Sequence, residues 1–243
     1  MQLKFIHRSE GYFVCRALKM LFLFETDRYY IVLGIVEEQI ANFASERVNK
    51  MTDVENVYEH IVDFLGNETE KTLLLSGIAD KEKHRSLLKA LNAREKMKGL
   101  IYLIHTTKDG MKDFFRWAEL YKVKVPNKYG QAMQLSNLTI FFDNLTTKND
   151  GDKYDNCALD FMILWPIASV TKNKEEIQML EEMTKRQRAK KIIYLTIKEP
   201  WCKPESLESI VDRVIKLDCE NDAPEEYRRI LTRYEEDRKR RNC

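Results

Sequence analysis

The stretch KTLLLSGIADKEKHRSLLKALNAREKMKGLIYLI, residues 71–104, decides the fold class of this chain. It opens with the apolar run 73–75, which ends at Gly77, and it closes with a second run at 100–104. Three leucines between the runs recur at helical spacing: Leu87, Leu88 and Leu91. Strands that are buried on both faces read as unbroken apolar runs. Two such runs joined by an amphipathic helix therefore predict a parallel βαβ unit.

The same alternation continues along the chain. Further apolar runs occupy residues 138–142, 161–165, 192–196 and 211–217. Amphipathic helices are predicted from 174 to 188 and after Asp109, the latter with these residues facing inward: Phe114, Phe115, Ala118 and Tyr121. The sequence therefore predicts an α/β fold with a mostly parallel central sheet flanked by helices. Ligands of such sheets bind at the carboxyl ends of the strands.

The two ends of the chain are less regular than this core. A helix is predicted over residues 54–65, between a cap at Thr52 or Asp53 and a stop at Gly66. We therefore divide the chain into a short N-terminal appendage, residues 1–66, and a core, residues 67–243, with a basic tail. The appendage either docks on a partner or packs on the core, and its residues 29–36 have the pattern of a buried strand. Beyond Pro224, the pattern fits a helix start or a terminal strand at 229–234.

Composition excludes several classes of protein. With 44% hydrophobic residues in 243, the chain has enough apolar side chains for a core, which excludes a wholly disordered protein. Its 41 basic and 39 acidic residues nearly cancel, which excludes a binder that relies on bulk positive charge. The longest apolar stretch is too short to span a bilayer. The five cysteines have no metal-ligand spacing, so we expect no metal site and a reducing compartment, cytosol or nucleus.

The turn after the first apolar run of the core is where a phosphate loop would lie. Gly77 and Lys83 have the spacing of that motif, in which backbone amides and the lysine hold phosphates. Glu82 replaces the second glycine and would repel phosphate, and His84 replaces the hydroxyl residue that binds magnesium. Gly77 and Lys83 thus form either a degenerate nucleotide site or, as the pattern favours, a strand-to-helix turn without ligand.

The other strand ends carry little that catalysis requires. The second run ends at His105 without a carboxylate to orient water, so no catalytic residue is predicted. Asp143, after the third run, is a magnesium ligand or, as we favour, the cap of a turn. Trp165 ends the fourth run, and core packing is the expected role of its indole.

The loop after the fifth run combines a tryptophan with two lysines: Lys198, Trp201 and Lys203. Stacking on an aromatic ring together with phosphate contacts is the usual mode of binding single-stranded nucleic acid. The alternative is that Trp201 packs back on the domain and that both lysines are solvated.

Taken together, residues 71–234 resemble the core of the RecA-type recombinases, and especially their divergent eukaryotic paralogues. The resemblance lies in the order and spacing of segments. Residues 73–77 resemble the start of the phosphate loop, 98–104 with 113–118 the next strand and helix, and 161–165 or 141–144 the magnesium-binding strand. Residues 192–196 resemble the strand before the second DNA-binding loop, and 211–217 with 228–234 resemble the closing strands. No diagnostic motif of the family is intact, and the first 65 or so residues match nothing in it.

The resemblance implies a non-catalytic paralogue, similar in kind to the Shu-complex subunits. Such a chain needs no cofactor, works in the nucleus in homologous recombination and DNA repair, and pairs with another RecA-like chain. It assists or remodels the recombinase filament on single-stranded DNA, which it contacts directly or through its partner. Two alternatives stay open: an active phosphate-loop NTPase that uses Gly77, Lys83 and Asp143, and a protein-interaction adaptor with no DNA role.

Overall fold

The computed structural model describes residues 5–9, 12–15, 20–23, 52–144, 158–197 and 202–241, and it divides the chain into two compact units, Met1–Met51 and Thr52–Cys243. In the first unit, three strands form an antiparallel sheet in the order β1 (Phe5–Ser9), β2 (Tyr12–Cys15) and β3 (Met20–Leu23). The run at 29–36 lies outside the described residues, so its prediction as a strand stays a prediction.

The second unit alternates strands and helices, as predicted. Its elements are α1 (Asp53–Gly66), β4 (Thr72–Ser76), α2 (Asp80–Asn92), β5 (Met97–Leu103), α3 (Gly110–Trp117), β6 (Ala132–Leu135), β7 (Leu138–Asn144), β8 (Phe161–Trp165), α4 (Lys174–Arg186), β9 (Lys191–Leu195), β10 (Arg213–Lys216) and α5 (Pro224–Arg241). Short 3-10 turns occupy Val170–Lys172 and Pro204–Ile210. Among the described residues, no helix is both long and apolar enough to cross a membrane.

Seven of these strands form one sheet in the order β10-β4-β9-β8-β5-β7-β6. Every neighbouring pair is parallel except β6 and β7. The predicted α/β fold with a mostly parallel sheet and flanking helices is therefore confirmed. β4, which carries the predicted phosphate-loop turn, lies between β10 and β9.

The central strands of the sheet, such as β4, β8 and β9, are buried on both faces, which explains the unbroken apolar runs. Side chains of a strand alternate between the faces. Leu73 and Leu75 accordingly join the core under α1, α2 and α3, whereas Leu74 joins a separate core with α4 residues such as Leu180. A strand in this position has no solvent-facing side, so its central residues, Leu73, Leu74 and Leu75, are all apolar.

Helix α1 packs within the second unit, against α2 and β10. Thr52 and Glu55 form a capping box, with both hydrogen bonds at 3.1 Å. The carboxylate of Asp222, beyond β10, accepts from the backbone nitrogens of Asp53 at 3.0 Å and Val54 at 3.1 Å. The structure thus groups α1 with the core unit, whereas the sequence analysis placed it in the appendage that ends at residue 66.

Gly99 lies inside β5, and a larger residue does not fit there because its Cβ would come within 2.2 Å of the ring of Phe161 on β8. Two local expectations are wrong. The segment from Pro224 is a helix, as one of the two alternatives predicted, so the terminal strand at 229–234 is wrong. Helix α3 ends at Trp117, so Tyr121 does not face inward and is 70% exposed.

The edge hairpin β6–β7 was not predicted either. β6 has four residues, of which only Met133 is buried, and it pairs antiparallel with β7. A short, half-exposed edge strand has no continuous apolar run.

Candidate functional site

The turn after β4 packs closely against the end of β10. Gly77 has φ +106°, a conformation that side chains disfavour, and a Cβ on it would lie 2.2 Å from the carbonyl oxygen of Leu217. The glycine is therefore required for contact between two backbone segments.

Two backbone amides of this turn donate hydrogen bonds to other groups of the protein. The amide of Ile78 donates to the Asp218 carboxylate at 3.0 Å, and the amide of Ala79 donates to the Leu217 carbonyl at 3.2 Å. In a phosphate loop, successive amides face the anion instead. Here their partners follow β10, and one of them is a carboxylate in the place where a phosphate would bind.

Lys83 is fully buried and its ammonium group is surrounded by protein oxygens. Nζ donates to the carbonyl of Gly77 at 2.6 Å, to the carbonyl of Thr196 at 3.0 Å and to its hydroxyl at 3.1 Å. It also forms an ion pair with the Asp80 carboxylate at 3.0 Å. Burial lowers the pKa of Lys83, against the opposing attraction of Asp80. An ammonium has three protons, and these contacts account for them.

The open surface beside this turn is acidic. A cleft of about 430 Å³ lies between the start of α2 and the start of α5, with Trp117 in its wall. The carboxylate residues among its lining are Asp80, Glu82, Glu119, Asp218, Asp222 and Glu226. Lys81 also lines it, but its ammonium pairs with Glu119 at 3.3 Å. Such a surface repels a phosphate chain.

His84, in the position of the missing hydroxyl residue, points into an aromatic cluster and not toward the turn. Its ring packs against Phe114 and Trp165 at centroid distances of 5.2 and 5.7 Å and stacks on Trp117 at 6.3 Å. Nδ1 lies 2.6 Å from the Asp80 carbonyl, and Nε2 is buried without a hydrogen-bond partner. Burial lowers the pKa of His84 to about 3. Trp165 is 3% exposed, in agreement with its predicted packing role.

We predict that His84 makes the protein less stable in mild acid. The unfolded chain binds the imidazole proton with a pKa of about 6.5, whereas the folded chain does so only near 3. The unfolded state therefore gains protons as pH falls through this window, and the free energy of unfolding should drop by about 2 kcal/mol between pH 7 and pH 5. Urea titrations at both pH values should show this loss removed in His84→Leu and retained in His60→Gln, which changes an exposed histidine.

Asp143 is too distant to complete a nucleotide site with Gly77 and Lys83. It lies on β7, which is four strands from β4 in the sheet order. At about 4.8 Å per strand the separation is about 19 Å. Its Oδ1 accepts from the backbone nitrogen of Asn144 at 2.8 Å. No group of three or more metal-ligating side chains occurs in the part of the chain that the structure describes.

The structure describes only one of the three residues predicted to contact DNA. Lys198 and Trp201 lie outside the described residues. Lys203 is exposed at the start of the 3-10 turn Pro204–Ile210, and its backbone nitrogen donates to the Thr171 hydroxyl at 3.0 Å. The preceding Cys202 is half-buried, and burial raises the pKa of its thiol to about 11. The end of this loop is thus anchored on the 3-10 turn Val170–Lys172, and the DNA contact stays a prediction.

Sequence reasoning missed the partners that occupy the turn. Asp218 and Thr196 lie more than 100 positions from the turn, at the ends of strands that neighbour β4 on either side. The only sequence signal for these partners was a short polar residue, Thr196 or Asp218, at the end of each of two apolar runs. It indicates a partner only once the strand order is known.

The comparison with solved structures finds a likeness to the large terminase from a thermophilic bacteriophage, with a TM-score of 0.41 and 8% sequence identity. The match covers 68% of this chain and 46% of the terminase chain, so this chain spans less than half of its length. A likeness at this level carries no argument about activity. No family model and no curated protein matches the chain.

Proposed function

We propose that this chain is a nucleotide-independent, non-catalytic member of a RecA-like class of proteins, which acts by binding and not by hydrolysis. The observation that carries the proposal is the state of Lys83. Its ammonium is fully buried and bonded to Gly77, Asp80 and Thr196. A lysine in that state has no proton left for a phosphate oxygen.

Two further features support the same proposal. The Asp218 carboxylate accepts the amide of Ile78, so a phosphate would have to displace a like charge from the turn. Neither strand beside β4 ends in a carboxylate that would hold magnesium at this turn. β9 is followed by Thr196, and β10 is followed by Leu217 and then Asp218. The Asp218 carboxylate forms an ion pair with Lys216 at 2.8 Å. At this turn, groups that would contact a nucleotide or magnesium in a phosphate loop contact other protein groups instead.

The specific role that we propose rests on the resemblance described above. The chain pairs with another RecA-like chain and a recombinase in the nucleus, as a hetero-oligomer. It assists or remodels the recombinase filament on single-stranded DNA during homologous recombination. Lys198, Trp201 and Lys203 supply DNA contacts, which are salt-sensitive and not sequence-specific.

Affinity purification of the tagged full chain from its native cells tests this role. We expect a recombinase or a second RecA-like chain among the co-purifying proteins. A preparation dominated by an unrelated complex would contradict the recombination role. In a binding assay with single-stranded DNA, Lys198→Glu/Lys203→Glu should weaken the affinity. Unchanged affinity would remove this loop as the contact, and absence of any DNA affinity at low salt would favour the adaptor.

A further inference from the structure

The connection between β5 and β6, residues 104–131, has an unusual surface, and we call it the crossover. Five large apolar residues are exposed among the described residues of the chain, and three of them lie here: Trp117, which also lines the acidic cleft, Leu120 and Tyr121. Tyr121 is the most exposed of the five, at 70%. Clustered exposed aromatic side chains mark an interaction surface more often than scattered ones do.

The same segment carries an excess of positive charge. Between residues 108 and 128 six cations accompany three carboxylates, and all six cations are exposed: Lys108, Lys112, Arg116, Lys122, Lys124 and Lys128. The whole chain has a net charge of only +2. The crossover is therefore a local basic region on a nearly neutral protein.

Most of this charge is not neutralised by ion pairs. Arg116 pairs with Asp113 at 2.8 Å. Glu119 is paired twice, with Lys81 at 3.3 Å and Arg85 at 3.1 Å, both on α2. The side-chain ammonium groups of the five lysines form no hydrogen bond or ion pair with any residue that the structure describes. Unpaired ammonium groups are available to an external anion.

The backbone holds Tyr121 in its exposed position. Glu119 has φ +61°, the amide of Leu120 donates to the Phe115 carbonyl at 2.9 Å, and the amide of Glu119 donates to the Arg116 carbonyl at 2.9 Å. These bonds form a Schellman motif, which ends α3 and directs the chain away from the core. The Glu119 carboxylate ties this turn to α2 through its two ion pairs.

The crossover begins and ends at one edge of the sheet. It leaves β5 at its carboxyl end, and the amide of Gly130 donates to the Phe142 carbonyl near the carboxyl end of β7 at 2.8 Å. β5 and β7 are adjacent parallel strands. Between these two points lies α3, which has eight residues and is about 12 Å long. Ligands of parallel sheets bind at this edge.

We infer that the crossover binds single-stranded nucleic acid, with the lysines contacting phosphates and Tyr121 stacking on an unpaired base. A single strand presents the faces of its bases, whereas a duplex hides them, so the exposed ring favours the single strand. The site differs from the loop at Lys198, Trp201 and Lys203. The inference shares only the class of ligand with the proposed function and requires no RecA-like partner.

Charge-reversal variants of the full chain test this inference. The probe is fluorescently labelled oligothymidylate, and its affinity is measured by anisotropy over a range of salt concentrations. Lys122→Glu/Lys124→Glu should weaken binding at least tenfold and reduce the slope of log affinity against log salt by about 1.4, or about 0.7 for each lost phosphate contact. The matched control, Lys174→Glu/Arg188→Glu, reverses two exposed cations, one at the start of α4 and one just beyond its end. α4 packs on the other face of the sheet, so this variant should bind the probe as the unchanged protein does.

A second pair of variants tests stacking. Tyr121→Ala should weaken binding about fivefold to a hundredfold, and Tyr121→Phe, which keeps the ring, should not. Duplex DNA of the same length should bind more weakly than the single strand, and anionic phospholipid vesicles should not compete with it.

Each of the following results would overturn the inference: no binding of the oligonucleotide, wild-type affinity in Lys122→Glu/Lys124→Glu, or an equal loss in the α4 control. Wild-type affinity in Tyr121→Ala, or stronger binding to duplex or vesicles, would also do so. The variant Lys198→Glu/Lys203→Glu in the same assay separates the two sites. Loss of binding in Lys198→Glu/Lys203→Glu alone would contradict the crossover site and would be consistent with the proposed function. The affinity purification tests the proposed function independently of the crossover site.

Discussion

Replacement of Lys83 by methionine is expected to lower the free energy of unfolding by about 3–5 kcal/mol. The change deprives the buried Asp80 carboxylate of its cation and removes the donor to two carbonyls and a hydroxyl. Breaking a buried ion pair on one side is costly because the remaining charge stays in a poorly solvated place. Urea denaturation followed by circular dichroism measures the effect.

Two controls make this result specific. Lys81→Met changes an exposed lysine of the same helix, whose ion pair with Glu119 at 3.3 Å is screened by solvent and is expected to contribute little to stability. The double variant Asp80→Asn/Lys83→Met removes both charges and should recover part of the lost stability. If Lys83→Met unfolded at the same urea concentration as the unchanged protein, Lys83 would not be the structural group that we describe.

Replacement of Gly77 by alanine is expected to destabilise the protein by a similar amount, about 3–5 kcal/mol, as the sum of backbone strain and overpacking. A residue with a Cβ at φ +106° is strained, and the added carbon would lie 2.2 Å from the Leu217 carbonyl oxygen. The clash involves backbone, so the end of β10 would have to move away from β4. The shift of the denaturation midpoint measures this cost.

Gly66→Ala is the matched control for the glycine variant. Its Cβ would meet only the end of the flexible Arg94 side chain, at 3.0 Å, and no left-handed φ is required there. We expect a change within about 1 kcal/mol, since alanine also favours the helix that Gly66 ends. Equal stability of Gly77→Ala and Gly66→Ala would contradict the close packing of the turn on β10.

The fold was predictable because the core strands are buried on both faces. The side chains of residues 73–75 point alternately into two cores, one on each face of the sheet. An unbroken run of leucines therefore indicates both a strand and helices on both faces of the sheet. Periodicity failed where packing between distant segments decides. The local pattern does not show that β5 needs a glycine at residue 99, which the ring of Phe161 on β8 requires.

The candidate site was predictable only in part, for a similar reason. The spacing of Gly77 and Lys83 locates the turn, but the direction of the ammonium depends on Thr196, 113 positions away. The lysines of the crossover are visible in the sequence, whereas the exposure of Tyr121 is not. Helical spacing predicts an inward Tyr121, and the left-handed Glu119 ends the helix before that residue.

The central claim of this account is that the turn at Gly77 and Lys83 binds no nucleotide. Isothermal titration of the full chain with magnesium and ATP at millimolar concentration tests it most directly, with a thermal melt of the same samples. The account predicts no saturable heat and no increase in the melting temperature, because the ammonium of Lys83 and the amides of Ile78 and Ala79 are bonded within the protein. Saturable, magnesium-dependent binding that raises the melting temperature would contradict it.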